Sequence, residues 1–329
     1  MSTDSGTRIH PPGERRAATD LANLVHYYLT LNPRQLPSRY LYDSLGSTLF
    51  DAICLLPWYR ITRAEADLLA LHGREVFARL GRVSTLVELG SGSGEKLRML
   101  VQRRSPHLGQ LEVHLIDVSR AALQSSTRAL VDIEGVTAVA HEAEYEDGLA
   151  AFARVPHSIG ATLTLFLGSN VGNFDRPGAE AMLRRIRAAL AAGDGLLVGA
   201  DLLKPEPDLL LAYDDPLGVT AAFNRNLLVR INRELGGNFD LVGFGHRAIW
   251  NARDSRVEMH LVAHGRQRVR INALDLDIEL ADGETIWTES SYKYRPAEIV
   301  SLVECTGFRL AGQWLADADQ FALTLFEAA

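Results

Sequence analysis

The chain has 329 residues, 47% apolar and 23% charged, with a formal net charge of -7, enough to bury a substantial core in one large domain or two small ones. The acidic balance argues against nucleic acid as a partner, because nonspecific phosphate binding rests on clustered Lys and Arg, and no apolar run approaches the roughly 20 residues of a membrane span. Cys54 and Cys305, the two cysteines, sit in apolar-periodic segments where buried thiols suit a reducing, cytoplasmic setting.

Residues 1–15 are polar and proline-bearing without an apolar centre, so a flexible lead-in is expected rather than a signal peptide. From about residue 62 helical and strand patterns alternate: TRAEADLLALHGREVFARL, STLVELG, GEKLRMLVQRR, LEVHLID, SRAALQSSTRALVDI, VTAVAHEAE, ATLTLFLG, PGAEAMLRRIRAALAAGD and GLLVGADLL. Strands interleaved with helices imply a parallel sheet covered on both faces, a doubly wound α/β domain. The rhythm breaks near residue 204. A helical stretch, DPLGVTAAFNRNLLVRINREL, precedes alternating runs HRAIWNA, RVEMHLVAH, QRVRINALDLDIEL and TIWTESSYKY, expected to form an antiparallel meander. RPAEIVSLVECTGF then returns as a helix, and RLAGQWLAD with QFALTLFEA forms a hairpin that finishes the first sheet. The expected division is a cofactor domain of residues 62–201 and 294–329, and an α+β substrate domain of residues 16–61 and 202–293. Ligands favour a groove above the carboxyl ends of the strands.

The stretch VELGSGSGEK orders Glu88-x-Gly90-x-Gly92-x-Gly94, unlike the G-x-G-x-x-G of dinucleotide folds. It resembles the first motif of class I S-adenosylmethionine-dependent methyltransferases, in which the acid faces the cationic methionine end of the cofactor. A pyrophosphate would be repelled by this carboxylate, which disfavours a nicotinamide dehydrogenase. Asp117 ends the strand LEVHLID, where it is placed to accept hydrogen bonds from both ribose hydroxyls. Glu144 and Tyr145 follow the third strand, placed for an adenine edge and face; an exposed acidic loop explains Glu144 as well. The expected cofactor is S-adenosylmethionine.

The segments YLYDSLGSTLFDAICLLPWYRITRAEADLL, VELGSGSGEKLRML, FLGSNVGNF, AYDDPLGVTAAFNRNLL, RVEMHLVAH and TESSYKYRP together resemble the L-histidine Nα-methyltransferase family of the ergothioneine pathway. The likeness runs from about residue 20 to the end. It implies a Rossmann-like class I methyltransferase sheet and trimethylation of the α-amine of L-histidine to hercynine. The implied partners are free L-histidine and its Nα-methylated forms, with no nucleic acid, membrane or metal, and the chain is expected to be monomeric. Carried over by position, the resemblance implies that Tyr59, Asn173 and Tyr213 hold the amino and carboxylate groups. Glu289 and Ser291 would bind the imidazole, with Met259 near the ring. Tyr42 and the Gly168 backbone would lie near the reacting amine. Gly90, Lys96, Asp117, Glu144 and Tyr145 would contact the cofactor, with Glu88 and Gly92 in the same loop. Trp58, Arg60, Asn170 and Ser290 depart from the family pattern.

Strand alternation puts Glu289 and Ser291 on one face of TESSYKY, offering a carboxylate and a hydroxyl to the two nitrogens of an imidazole. In RVEMHLVAH it puts Val257, Met259 and Leu261 on an apolar face, with Glu258, His260 and His264 opposite. A methylated ammonium favours aromatic faces, and Tyr42, Phe50 and Tyr59 are candidates. Plainer readings exist for each: Met259 as core filler, Glu289 paired with Lys293, Asn173 as a left-handed turn residue, and Tyr42 and Tyr59 as packing aromatics. His260 and His264 have helix-type ligand spacing in a strand pattern and no evident third ligand, so no metal is expected. The competing functions are a methyltransferase for another small amine or amino acid such as tryptophan, and a non-catalytic S-adenosylmethionine-binding protein.

Overall fold

The computed structural model describes residues 8–10, 14–105, 107, 109–155 and 160–329, with side chains from residue 21 onward. The remainder of the expected lead-in, residues 1–7 and 11–13, lies outside the described residues. In chain order the first elements are β1 (Arg8–His10), α1 (Glu14–Leu29), β2 (Arg34–Gln35), α2 (Ser44–Leu55), α3 (Ile61–Leu80), β3 (Val83–Leu89) and α4 (Glu95–Val101). Then come β4 (Leu111–Asp117), α5 (Arg120–Leu130), β5 (Val136–Glu142), α6 (Tyr145–Phe152), β6 (Ala161–Phe166), α7 (Arg176–Ala188) and β7 (Gly195–Asp201). The rest are α8 (Glu206–Tyr213), α9 (Val219–Leu235), β8 (Phe244–Asn251), β9 (Arg256–Ala263), β10 (Gln267–Ile271), β11 (Leu276–Leu280), β12 (Thr285–Tyr292), α10 (Pro296–Glu304), β13 (Phe308–Ala316) and β14 (Phe321–Ala328).

The chain divides into two compact units. The first takes β1, Arg60–Leu203 and Lys293–Ala329. Among the described residues its sheet has the order β1-β5-β4-β3-β6-β7-β14-β13. The strands from β1 to β7 run parallel, and β14 enters antiparallel to both β7 and β13. β3 and β7 are buried along their whole length, as a central parallel strand covered on both faces must be. Strand order reverses between β3 and β6, so the loops leaving their carboxyl ends diverge and open a crevice. α7 starts where Asp175 accepts the Gly178 N–H at 2.8 Å, with Pro177 in the first turn. Its apolar side packs Met182, Leu183 and Ile186 with Phe166, Ile299 and Phe326 in one core. The sequence pattern did not anticipate β1, which pairs with Val139–His141 as an edge strand within the expected lead-in.

The second unit contains α1, β2 and α2 with Lys204–Tyr292. Its main sheet has the order β2-β12-β9-β8, and α8 and α9 pack against β8 and β9. The expected meander is corrected in one respect. QRVRINALDLDIEL folds on itself as a separate β10-β11 hairpin, and β12 returns to pair with β9. The hairpin buries Val269, Ile271, Ile278 and Leu280. On it, Arg270 forms ion pairs with Asp275 and Asp277, and Arg268 with Glu279. A register shift between Trp287 and Glu289 marks a bulge in β12, which Thr288 pins by donating to the Met259 carbonyl at 2.9 Å. No helix among the described residues is long and apolar enough to cross a membrane.

Candidate active site

In the first unit, the loop from β3 to α4 carries left-handed backbone at Gly90, Gly92 and Gly94, with φ of +83, +52 and +78. Two of these glycines are also closely approached, Gly94 by backbone and Gly90 by side-chain ends. A Cβ on Gly90 would lie 2.7 Å from Asn170 Nδ2 and 2.8 Å from the Tyr145 hydroxyl, and one on Gly94 would lie 2.5 Å from Ser126 Cα. From α5, Ser126 Oγ reaches the Ser91 and Gly92 carbonyls at 3.1 Å, clasping the loop. Asp117, half-buried at the end of β4, accepts the Ser91 N–H at 2.9 Å and the Ser119 N–H at 2.8 Å, and the Gly92 and Val118 N–H groups also favour its charged form. Burial raises its carboxyl above the usual range even against those hydrogen bonds. Tyr145 begins α6, and burial, with Asp117, Glu146 and Glu88 nearby, pushes its hydroxyl well up. Glu144, the residue before that helix, is exposed.

Glu88 is 3% exposed, and its Oε2 has no hydrogen-bond partner in the protein; neither has the buried Ser91 Oγ. Burial raises the Glu88 carboxyl to about 8, with Lys96 opposing and Asp117 and Glu65 adding to the rise. Lys96 pairs with Glu65, a fully buried carboxylate on α3. Glu65 also receives the Gly168 N–H on both oxygens at 2.9 Å. The sequence reading missed Glu65. An available signal was an acid on the stripe Ile61, Ala64, Leu68, Leu69, where an apolar residue belongs. Beyond β6, Asn173 is exposed at the end of a 3-10 turn from Asn170, and the left-handed residues of that loop are Gly168 and Ser169, not Asn173. Asn170 Nδ2 donates to the Leu89 carbonyl at 3.2 Å, joining this loop to the end of β3.

In the second unit, register fixes which residues share a face. Glu289 lies opposite Met259, and Ser291 opposite Val257, so all four project to one side of the β9-β12 pair. Met259 and Val257 are buried there, and the Ser291 hydroxyl shares a 2.8 Å hydrogen bond with the Tyr213 hydroxyl from the end of α8. His246 Nε2 donates to the Tyr213 carbonyl at 2.8 Å, which leaves Nδ1 to accept from Asn224 Nδ2 at 2.9 Å. Burial lowers the His246 pKa and keeps this neutral arrangement. Lys293, the alternative partner considered for Glu289, places its ammonium 2.9 Å from Asp201.

Tyr42, Phe50, Tyr59, Phe223 and Tyr213 form a connected set of aromatic rings. Tyr42 meets Phe50 at 5.5 Å and Phe223 at 5.4 Å; Tyr59 meets Phe50 at 6.1 Å and Tyr213 at 6.2 Å, all four edge-on. Burial, followed by the influence of Tyr213, Cys54, Tyr42 and Glu289, drives the Tyr59 hydroxyl well above its usual pKa, so it remains a donor. Two segments of the sequence support this set. Asp43 of LYDSLGSTLF caps α2 at Gly46 N (2.8 Å) and accepts from Asn226 of AFNRN and from Arg233, both at 2.7 Å. Burial would raise the Asp43 carboxyl, but these hydrogen bonds outweigh it and hold the group below its usual range. Gly46 must be glycine, since a Cβ would sit 1.7 Å from the Leu41 carbonyl oxygen. The structure therefore gathers Tyr42, Tyr59, Tyr213, Met259, Glu289 and Ser291 within one unit. Glu88, Gly90, Gly92, Lys96, Asp117, Glu144, Tyr145, Gly168 and Asn173 lie in the other.

A family model described as histidine-specific, SAM-dependent methyltransferase matches residues 21–328. The chain is 41% identical over 311 residues to a histidine N-alpha-methyltransferase of Mycolicibacterium smegmatis, covering 94% of this chain and 95% of that one. It is 42% identical over 316 residues to the protein of the same name in Mycobacterium tuberculosis, covering 95% and 96%. An L-tryptophan methyltransferase of Psilocybe serbica is 26% identical over 323 residues, covering 90% and 88%.

Proposed function

Because the chain belongs to the histidine-specific, S-adenosylmethionine-dependent methyltransferases, we propose that it trimethylates the α-amine of free L-histidine, giving hercynine for ergothioneine synthesis. Its cofactor, S-adenosylmethionine, supplies an electrophilic methyl group when bound. The residues present fit that molecule. An orphaned Glu88 oxygen suits its cationic methionine end, Asp117 stands half-buried at its strand end as an acceptor for ribose hydroxyls, and Gly92 has open space where a side chain would project. Gly90, Gly92, Lys96, Glu144 and Tyr145 complete the proposed cofactor contacts.

The observation that carries the histidine reading is the shared face of Glu289 and Ser291, bordered by Met259 and braced through Tyr213. A carboxylate and a hydroxyl satisfy both imidazole nitrogens, one accepting the ring N–H and one donating to the bare nitrogen. We assign the amino and carboxylate groups of the substrate to Tyr59, Asn173 and Tyr213. Tyr42 and the Gly168 backbone are assigned to the reacting nitrogen. The substrate amine must lose a proton before attack, and methyl transfer is an in-line displacement that rewards positioning. As methyl groups accumulate the nitrogen loses its N–H donors and ends as a fixed cation. The rings of Tyr42, Phe50 and Tyr59 then offer it cation-π contact.

The test mixes purified protein with S-adenosylmethionine and histidine and follows the amino acid by mass spectrometry. Three successive methyl additions are expected. No methylated histidine at saturating cofactor ends the proposal.

A further inference from the structure

Among the described residues Glu65 is the most enclosed carboxylate of the first unit, and none of the roles assigned above uses it. It is 0% exposed, on the inward side of α3. An uncompensated charge at such a depth would be strongly destabilising, so its partners matter. It has two. The Lys96 ammonium from α4 bonds to Oε2, and the Gly168 N–H from the loop after β6 donates to both oxygens at 2.9 Å. A third feature shows that room is kept for it: a Cβ on Gly199 of β7 would lie 1.8 Å from Glu65 Oε1. One carboxylate thus ties together α3, the helix that follows the glycine loop, and the loop that follows β6.

We infer that Glu65 is a positioning residue for methyl transfer, fixing the Lys96 ammonium and the Gly168 peptide in one geometry. The inference rests on the reading above, in which Lys96 serves the cofactor and Gly168 the reacting nitrogen. Gly168 has φ of +71, and a Cβ there would lie 3.6 Å from Lys96 Nζ, so the two groups are close as well as commonly held. A peptide is planar, so a captured N–H also fixes the direction of the Leu167 carbonyl. In-line displacement tolerates little error, and a 1 Å displacement of a positioned group costs about 100-fold in rate.

Glu65→Gln keeps the shape and one acceptor for Gly168 but turns an N–H group toward the Lys96 ammonium. The expected result is a folded protein with kcat lowered at least about 10-fold, on the same physical ground, while KM for histidine changes by less than threefold. A merely structural role would lower the melting temperature without that split. A second readout is the pH dependence of S-adenosylmethionine binding without histidine. Lys96, Asp117 and Glu65 are the charged neighbours acting on Glu88, and removal of the Glu65 anion shifts the titration midpoint to lower pH. Gly199→Ala pushes the carboxylate away without changing charge, and the same loss of kcat is expected. Should both variants fail to fold, hydrogen exchange at the Gly168 amide of the wild-type protein remains decisive. Slow exchange without ligand is expected; exchange at the rate of an unprotected loop amide overturns the inference, as does a Glu65→Gln kcat within twofold of wild type. Failure of the wild-type protein to methylate histidine would instead overturn the functional reading, and leaves the exchange and cofactor-binding tests of Glu65 standing.

Discussion

Glu88 gives the sharpest test of how the cofactor pocket works. Its ordinary carboxyl value is 4.5, and burial brings the folded-state value to about 8. Between those values the folded protein holds a proton that the unfolded chain has lost. Stability therefore falls as pH rises through this window, by about 1.4 kcal/mol per pH unit, reaching an upper bound of about 5 kcal/mol near pH 8 and levelling above it. A cationic ligand reverses the preference, because it favours the charged carboxylate. Binding of S-adenosylmethionine below pH 8 should then release a proton, and its affinity should rise by up to about tenfold per unit toward pH 8. Glu88→Gln removes both effects. The assay is calorimetric titration of cofactor from pH 6 to 9 in buffers of different ionisation enthalpy, with thermal melts of the ligand-free proteins. The cofactor's own amine titrates at about 7.7–8.0 in the free molecule, so the comparison is between wild type and variant at each pH. The variant is expected to bind weakly, to lack the Glu88 proton release, and, without ligand, to melt higher than wild type at pH 8 but by little at pH 5. Equal proton release by both proteins, or a ligand-free variant no more stable at pH 8, would refute the reasoning.

Glu289→Ala should raise KM for histidine by about 10- to 100-fold, the range expected for one hydrogen bond to a charged group, and should affect tryptophan binding much less; competition assays with both amino acids check this. Phe50→Leu keeps an apolar side chain but removes a ring from the aromatic set, so the mono- and dimethylated products should accumulate at the expense of the third methylation, a shift that mass spectrometry reads directly. Asp43→Ala removes the α2 cap and leaves Asn226 without this acceptor, at a cost of about 1–2 kcal/mol by denaturant unfolding at pH 7. The folded-state carboxyl is depressed, so its contribution is present above the ordinary value of 3.8 and is lost as pH falls through the lower one. The difference between wild type and variant should therefore shrink below about pH 4.

Legibility followed the range of the interactions. Glu88 to Gly94 is a contiguous stretch whose spacing states its backbone geometry, and Asp117 announces itself by ending a strand. Within RVEMHLVAH and TESSYKY, alternation names the faces because it needs only neighbouring residues. It does not name partners. The sequence QRVRINALDLDIEL alternates correctly and still pairs with itself, leaving β12 to find β9. Phe223 and Asn226 were visible as part of a motif, but their purpose was not, since Asn226 meets Asp43 across 183 residues. Glu65 reads as one more acid in a helix until Gly168, 103 residues away, donates to it. The left-handed turn offered as the plainer reading of Asn173 falls instead on Gly168 and Ser169, and of these Ser169 is the one residue type would not announce.

The bulge at Thr288 acts as a shift of reading frame within a strand. Counting outward from Ile286, which lies opposite Leu261, strict alternation would turn Glu289 away from Met259; the extra residue turns it back. Which side of the sheet bears the acid is thus decided by a count of residues rather than by their kind. One residue inserted between Thr288 and Glu289 would leave every chemical group in place and present the opposite surface, while most substitutions nearby would not.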